Sequence, residues 1–211
     1  NTGARAGNIM VIASFHDENG HIAIPGFYDA VRDWSDPARE AIRRLPFDEG
    51  VFQRQTGAPA LGGEKGYSTL ERIWTRPTCE VNGLLSGYTG EGAKTVLPSK
   101  AMAKVSCRLV PDQQPEEIER LMRAHVTRLA PKGVTVTVEN LSGGRPWRAE
   151  LDGPLFDAAR RSLKAAFGRE PVIVGEGGSI PVVGDFQRIL GTPVLLMGFG
   201  LPAENAHAPN E

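Results

Sequence analysis

Hydrophobic and polar positions divide the chain into stretches of different period. Val11, Ile12 and Phe15 fall on one helical face, so the opening apolar run predicts a helix, with Gly20 of "DENG" as its C-cap. "SDPAREAIRRL" predicts a second helix with Asp36 as N-cap and Pro37 in the first helical position, and "DEGVFQRQ" a short third one. From Thr78 the period shortens to two. "TCEVNGLLSGY" and "KAMAKVSCRLV" predict two strands around a glycine-rich turn. In the second strand Ala101, Ala103, Val105, Cys107 and Leu109 alternate with Lys104, Ser106 and Arg108, which turns one face to a core and the other to water. "PEEIERLMRAHVTRL" then sets Ile118, Leu121, Met122, Val126 and Leu129 on one helical stripe. "GVTVTVENL", in which Val134, Val136 and Val138 alternate with threonines, predicts a further strand.

Strand, strand, helix, strand suits an α+β layer, an antiparallel sheet with helices on one face. "SGGRPW", residues 142–147, marks a boundary. Beyond it, helix ("PLFDAARRSLKAAFG"), strand ("PVIVG"), helix ("IPVVGDFQRIL") and strand ("PVLLMG") alternate as in an α/β segment, with functional loops expected at strand C-terminal ends. Two unequal parts are therefore expected, divided within residues 142–147.

Charge and composition narrow the function. With 24 basic against 25 acidic residues, no global field favours nucleic acid or an anionic membrane, which leaves a small-molecule substrate. Cys79 and Cys107 are too few for a disulfide framework or thiolate cluster and fit a reducing compartment, the cytoplasm. No apolar run reaches the roughly 20 residues of a membrane span, and "NTGARAGN" lacks the apolar region of a signal peptide.

Several stretches could carry chemistry. In "VIVGEGGSIPVVGDF" a β-branched run leads into Glu176, two glycines and Ser179 before a helical pattern. Free N–H groups at such a helix start bind a carboxylate or phosphate, while the same residues also serve a tight turn capped by Ser179. Arg108, near the end of its strand, can take a carboxylate in a two-pronged hydrogen bond, although the pattern alone favours a solvated surface arginine. "GEGAKTVLP" has only a partial likeness to a phosphate-binding loop, since Tyr88 and Ala93 stand where glycines belong and Pro98 spoils the following helix. Lys94 and Thr95 are then loop residues leading into the strand of Arg108. Glu116 and Glu117 complement the dipole in the first turn of their helix. His16, His21 and His125 lack ligand spacing and are read as surface or structural residues. His207 follows a glycine-rich loop after an apolar strand, where α/β proteins place ligands, but one histidine is not a metal site.

Taken in order, "GEGAKTVLP", "KVSCRLVPDQQPEEI", "GEGGSIPVV" and "GFGLPAENAHAPNE" resemble the dinuclear zinc metallopeptidases that include carnosine dipeptidase, acetylornithine deacetylase and carboxypeptidase G. "DENGHIAIPGFYDAV" and "TLERIWTRPTCEVNGL" match the dipeptidase branch. The resemblance covers nearly the whole chain after about residue 10, and several ordered motifs are more specific than any one of them.

The resemblance implies metal-dependent hydrolysis of the amide bond of dipeptides or N-acyl amino acids, with two divalent ions, zinc or manganese, in the complete enzyme. Residues 1–146 are then most of a lid and dimerisation domain whose N-terminal part is missing, and 147–211 the last part of a zinc-exopeptidase catalytic domain. His207 looks like the final metal-ligand histidine. Arg108 and Ser179 look like groups that hold the terminal carboxylate or backbone of the substrate, Thr95 like a further lid contact, and Glu176 like a receiver of the substrate's amino group. A homodimer through the lid is implied. The family's other metal ligands and its lid histidine have no counterpart in this sequence, so no catalytic residue is expected in the chain, which alone is expected to bind zinc weakly and hydrolyse nothing. "PVIVG" and "PVLLMG" are expected to lack sheet partners, leading to self-association, packing onto the lid or disorder after about residue 147. A reading from a different class is a non-catalytic dimerisation or small-ligand-binding module.

Overall fold

The computed structural model describes residues 4–149, 151–175 and 180–200, which form seven helices and two strands. They fall into two compact units, one within Asn1–Trp147 and Val174–Pro181, the other within Arg148–Ile173 and Val182–Glu211.

The first unit is an α+β arrangement around a hairpin. β1 (Thr78–Ser86) and β2 (Ala101–Arg108) run antiparallel, from Thr78 opposite Arg108 to Ser86 opposite Ala101. Asn82 bulges out between Val81 and Gly83, so the β1 residues opposite the odd positions of β2 change from odd to even across it. The alternation read in β2 holds for Ala101, Ala103 and Cys107 against exposed Met102, Lys104, Ser106 and Arg108, while Val105 breaks it by standing exposed. Cys79 and Cys107 hold the buried end of the hairpin against a core of Val11, Phe15, Ile22, Ile24, Phe27, Ile118 and Val126. Ile118 and Val126 belong to α5 (Pro115–Leu129), whose Leu121, Met122 and Leu129 pack beside them, as its 3.6-residue period predicts.

Helix α1 (Ala4–Ala13) contributes Val11 and stops well before Gly20. Gly20 is not its C-cap. The Asp17 side chain accepts the N–H groups of Asn19 (2.8 Å) and His21 (2.9 Å), folding a tight turn between the bridged residues His16 and Ile22. Gly20 lies there at φ 74°, and a Cβ on it would meet the Gly63 carbonyl oxygen at 2.9 Å, so conformation and space both require glycine.

Ser35 is the N-cap of α2 (Asp36–Arg43), which moves the expected cap Asp36 into the helix. α3 (Glu49–Thr56) starts with the Asp48 side chain accepting the Val51 N–H at 2.9 Å and ends at Gly57, φ 67°. α4 (Thr69–Thr75) has too few residues to show a helical period. It is set by a capping box between Ser68 and Glu71.

The expected strand over 133–141 does not form. Val138 packs against the core and its carbonyl accepts Arg123 Nη1 at 2.6 Å, so the segment is held along α5 by a side chain rather than by a ladder. The expected strands at 171–175 and 193–198 are also absent, which corrects the α/β reading of this region. Its described residues form two helices, α6 (Gly153–Phe167) and α7 (Val182–Leu190), while Val172, Ile173, Val174, Leu196 and Met197 are exposed. A strand is a pairing, and among the described residues none pairs with these runs. No helix among the described residues is long and apolar enough to cross a membrane.

Candidate functional site

Arg108 closes β2 opposite Thr78 and is exposed. The chain then turns over Val110, Pro111, Asp112 and Gln113, with the Gln113 N–H donating to the Val110 carbonyl at 3.2 Å and Asp112 at φ 80°. Proline second and a left-handed third residue are the requirements of a type II turn. Gln113, 1% exposed, locks it from inside. Its Oε1 accepts the Val110 N–H at 3.0 Å, and its Nε2 donates to the Phe27 carbonyl at 2.8 Å. The strand end that presents Arg108 is thus tied to the core, with Arg32 pairing to Asp112 at 2.7 Å outside. Sequence reading missed Gln113 because a glutamine within "PDQQPEE" looks solvated.

Thr95 is exposed in the loop of residues 87–100, which leaves the hairpin at Ser86 and returns at Ala101. Seven residues of strand, about 23 Å, separate Ala101 from Arg108, so the loop of Thr95 is rooted at the opposite end of the hairpin. Lys94 Nζ sits 4.8 Å from the Tyr88 ring centre, and the Tyr88 hydroxyl donates to the Glu91 carbonyl at 2.9 Å.

Glu176, Ser179 and His207 lie outside the described residues. The flanks of the "EGGS" stretch are described. A Cβ on Gly175 would meet Cβ and Cγ of Trp74 at 2.5 Å, and a Cβ on Gly144 would meet Pro181 at 2.9 Å. Gly175 therefore answers a close approach by the α4 tryptophan.

The densest polar cluster lies around α2 and α4. Glu71 is fully buried, and burial pushes its carboxyl up. Hydrogen bonds from Arg39, the Ser68 N–H and the Ser68 hydroxyl outweigh that and hold it down to about 2. Burial likewise raises Glu64, but the two-pronged bond from Arg76 (2.7 and 2.8 Å) and that from His21 Nδ1 (2.8 Å) hold it below the usual carboxylate range. The Tyr67 ring lies between Arg39 and Arg76, at 4.8 and 4.3 Å. A cavity of about 290 Å³ opens here, bordered by Arg32, Asp33, Trp34, Arg39, Tyr67, Thr75 and Arg76. Arg32, Arg39 and Arg76 each engage a carboxylate, of Asp112, Glu71 and Glu64 respectively. The cluster is a bracing framework. In the second unit a cavity of about 300 Å³ opens at the start of α6 between Asp152, Leu155, Phe156, Pro193 and Leu195.

Of the histidines read as surface or structural, His21 and His125 have side-chain partners. His21 stacks on Tyr28 with centroids 3.9 Å apart. His125 is buried, and its Nε2 lies 2.8 Å from Ser14 Oγ. Ser14 donates its hydroxyl hydrogen to the Val11 carbonyl at 2.6 Å, so it accepts from His125, which assigns the ring proton to Nε2. Burial, then the charge of Arg128, lower the pKa of this imidazole. Among the described residues no three His, Cys, Asp or Glu side chains are grouped to hold a metal ion, so these residues do not fit a metal centre.

The profile of peptidase family M20/M25/M40 matches residues 2–211. The chain belongs to that family. Relatives of this M20 chain include the beta-Ala-His dipeptidase of Rattus norvegicus, 26% identical over 96% of this chain and 42% of that protein. The Cys-Gly metallodipeptidase of Schizosaccharomyces pombe is 30% identical over 96% of this chain and 43% of its own length. Among solved structures, the M20 metallo-carboxypeptidase of Sulfolobus solfataricus superposes with a TM-score of 0.76 at 32% identity, covering 88% of this chain and 42% of that one. Human carnosine dipeptidase 1 gives 0.76 at 26% identity, covering 89% and 40%. The chain thus spans about two fifths of the length of these relatives. The family read from the ordered motifs is the one found, with dipeptidases prominent in it.

Proposed function

We propose that this chain is part of a metal-dependent dipeptidase that hydrolyses the amide bond of dipeptides or N-acyl amino acids. The observation that carries the reading is the match of 96% of the chain to proteins named as dipeptidases within the M20 family. In this reading residues 1–146 are most of a lid and dimerisation domain, and 147–211 the end of the catalytic domain. Arg108 and Ser179 hold the terminal carboxylate or backbone of the substrate, Thr95 is a further lid contact, and Glu176 receives the amino group. His207 is one ligand of a pair of divalent ions, zinc or manganese, whose other ligands are supplied from outside these 211 residues. The chain alone is inactive, and the complete protein is a cytoplasmic homodimer. The place of Arg108 at a strand end braced by Gln113 supports its part, since a guanidinium can take a carboxylate with two parallel hydrogen bonds.

The test is expression of the complete coding frame that contains this sequence, assayed on dipeptides and N-acyl amino acids with zinc, with manganese, and after chelation. Metal-dependent cleavage that disappears in His207→Ala is the expected result. A stable dimer that cleaves none of these substrates with either metal would overturn the reading and leave a dimerisation or ligand-binding module.

A further inference from the structure

Cys79 and Cys107 stand directly opposite each other in the register of β1 and β2. Directly opposite residues in an antiparallel pair have Cα atoms about 4.5–5.5 Å apart, inside the roughly 4.4–6.8 Å that a disulfide spans. Both side chains lie on the core face of the hairpin, Cys79 buried and Cys107 half-buried against the same cluster. The sulfurs are within hydrogen-bonding contact. The Cys79 thiol donates to Cys107, which pushes Cys79 up and holds Cys107 down; burial works upward on both. The nucleophile of the pair is therefore Cys107, the less buried residue of the two. Arg108 is the next residue along β2.

We propose that Cys79 and Cys107 are a peroxide-sensitive dithiol that closes to a cross-strand disulfide within one chain. The Cys107 thiolate attacks a hydroperoxide; the S–O bond forms, the O–O bond breaks, and the departing hydroxide takes up the proton that Cys107 released, giving water and a sulfenic acid. Oxygenated Cys107 carries no negative charge, so the interaction that kept the Cys79 proton in place is gone. The Cys79 sulfur then attacks the Cys107 sulfur; the S–S bond forms, the S–O bond breaks, and hydroxide leaves with the Cys79 proton as water. Two thiols and one hydrogen peroxide become one disulfide and two waters, with both electrons passing from the sulfurs to the peroxide. A dithiol reductant reverses the change.

The folded chain is treated with hydrogen peroxide, quenched with iodoacetamide and digested without reductant. The expected product is a peptide carrying Cys79 linked to Cys107, lighter by two hydrogens and restored by dithiothreitol. Closure is expected to be at least about tenfold faster in the folded chain than in the urea-unfolded one, because the register holds the sulfurs together. Cys107→Ser abolishes the product, whereas Cys79→Ala leaves Cys107 to accumulate a dimedone adduct. Because Cys79 lies in the core and its variant can fail to fold, the wild-type map and Cys107→Ser suffice alone. Two thiols that survive peroxide in the folded chain, equal rates folded and unfolded, or a Cys107 linked only between chains would each overturn the proposal.

Discussion

Arg39 on α2 donates to the carboxylate of Glu71 on α4, and the contact links helix α2 to the capping box that starts α4. Glu71 accepts from Arg43 at 3.3 Å, from the Ser68 N–H at 2.7 Å and from the Ser68 hydroxyl as well, so four donors converge on one buried acid. Removing the acid leaves a guanidinium and a helix start without their partner.

The first prediction concerns that acid. Its folded pKa of about 2 lies below the ordinary 4.5, so its stabilisation is fully present above about pH 4.5 and is lost as pH falls toward 2. The gap corresponds to about 3 kcal/mol. Glu71→Gln is expected to lose stability of that order at pH 7 in urea titrations. The curves of variant and wild type should converge near pH 2. Parallel curves down to pH 2 would show that the acid is not ionised by its partners.

His125 sets the second prediction, of opposite chemical origin. Its folded pKa lies below the ordinary 6.5 because the ring is buried beside Arg128. The unfolded chain therefore binds the proton more readily, so stability from this residue is complete above about pH 6.5 and declines as pH falls toward the folded value. His125→Gln, which can still donate to Ser14, should flatten the fall in melting temperature between about pH 7.5 and 5.5. An unchanged slope would assign that fall to another group.

These two residues also mark where the sequence was silent. The stripe of α5 and the alternation of β2 were legible because apolar period reports which face is buried. α4 has no such period in seven residues, and the Ser68-x-x-Glu71 spacing of its capping box went unread. Residues 133–141, 171–175 and 193–198 read as strands because their composition suits a sheet, but pairing is decided by neighbours, and among the described residues these runs have none. The burial of Glu71 and Gln113 gave no signal, since a buried polar residue is defined by partners far along the chain. Of the site residues implied by the family motifs, Thr95 and Arg108 lie within the described residues; Glu176, Ser179 and His207 do not.

Gly175 supplies the third prediction. A methyl group there would lie 2.5 Å from Cβ and Cγ of Trp74, atoms close to the backbone that cannot swing aside. Gly175→Ala is expected to cost about 1–3 kcal/mol. In a Trp74→Gly background, which removes both Cβ and Cγ, the same change should cost little, so the double-mutant cycle gives a coupling of similar size. Additive effects would separate the two residues.

Gln113 allows the effect on Arg108 to be separated from the effect on the fold. Gln113→Ala leaves the buried Val110 N–H and Phe27 carbonyl without the side-chain partners they have now, at a cost of about 1–3 kcal/mol for each buried group left unpaired. Gln113→Glu keeps an acceptor for Val110 but has no donor for Phe27, so its ionised form leaves the carbonyl unpaired and buries a charge. Amide exchange at Val110 should accelerate in Gln113→Ala and stay slow where the acceptor is retained. If the complete protein is the proposed dipeptidase and Arg108 holds the substrate's carboxylate as proposed, a loosened strand end should raise KM for peptides with a free carboxylate much more than it lowers kcat. Equal losses in kcat for amidated and free-acid peptides would mean that Gln113 supports the fold without positioning Arg108.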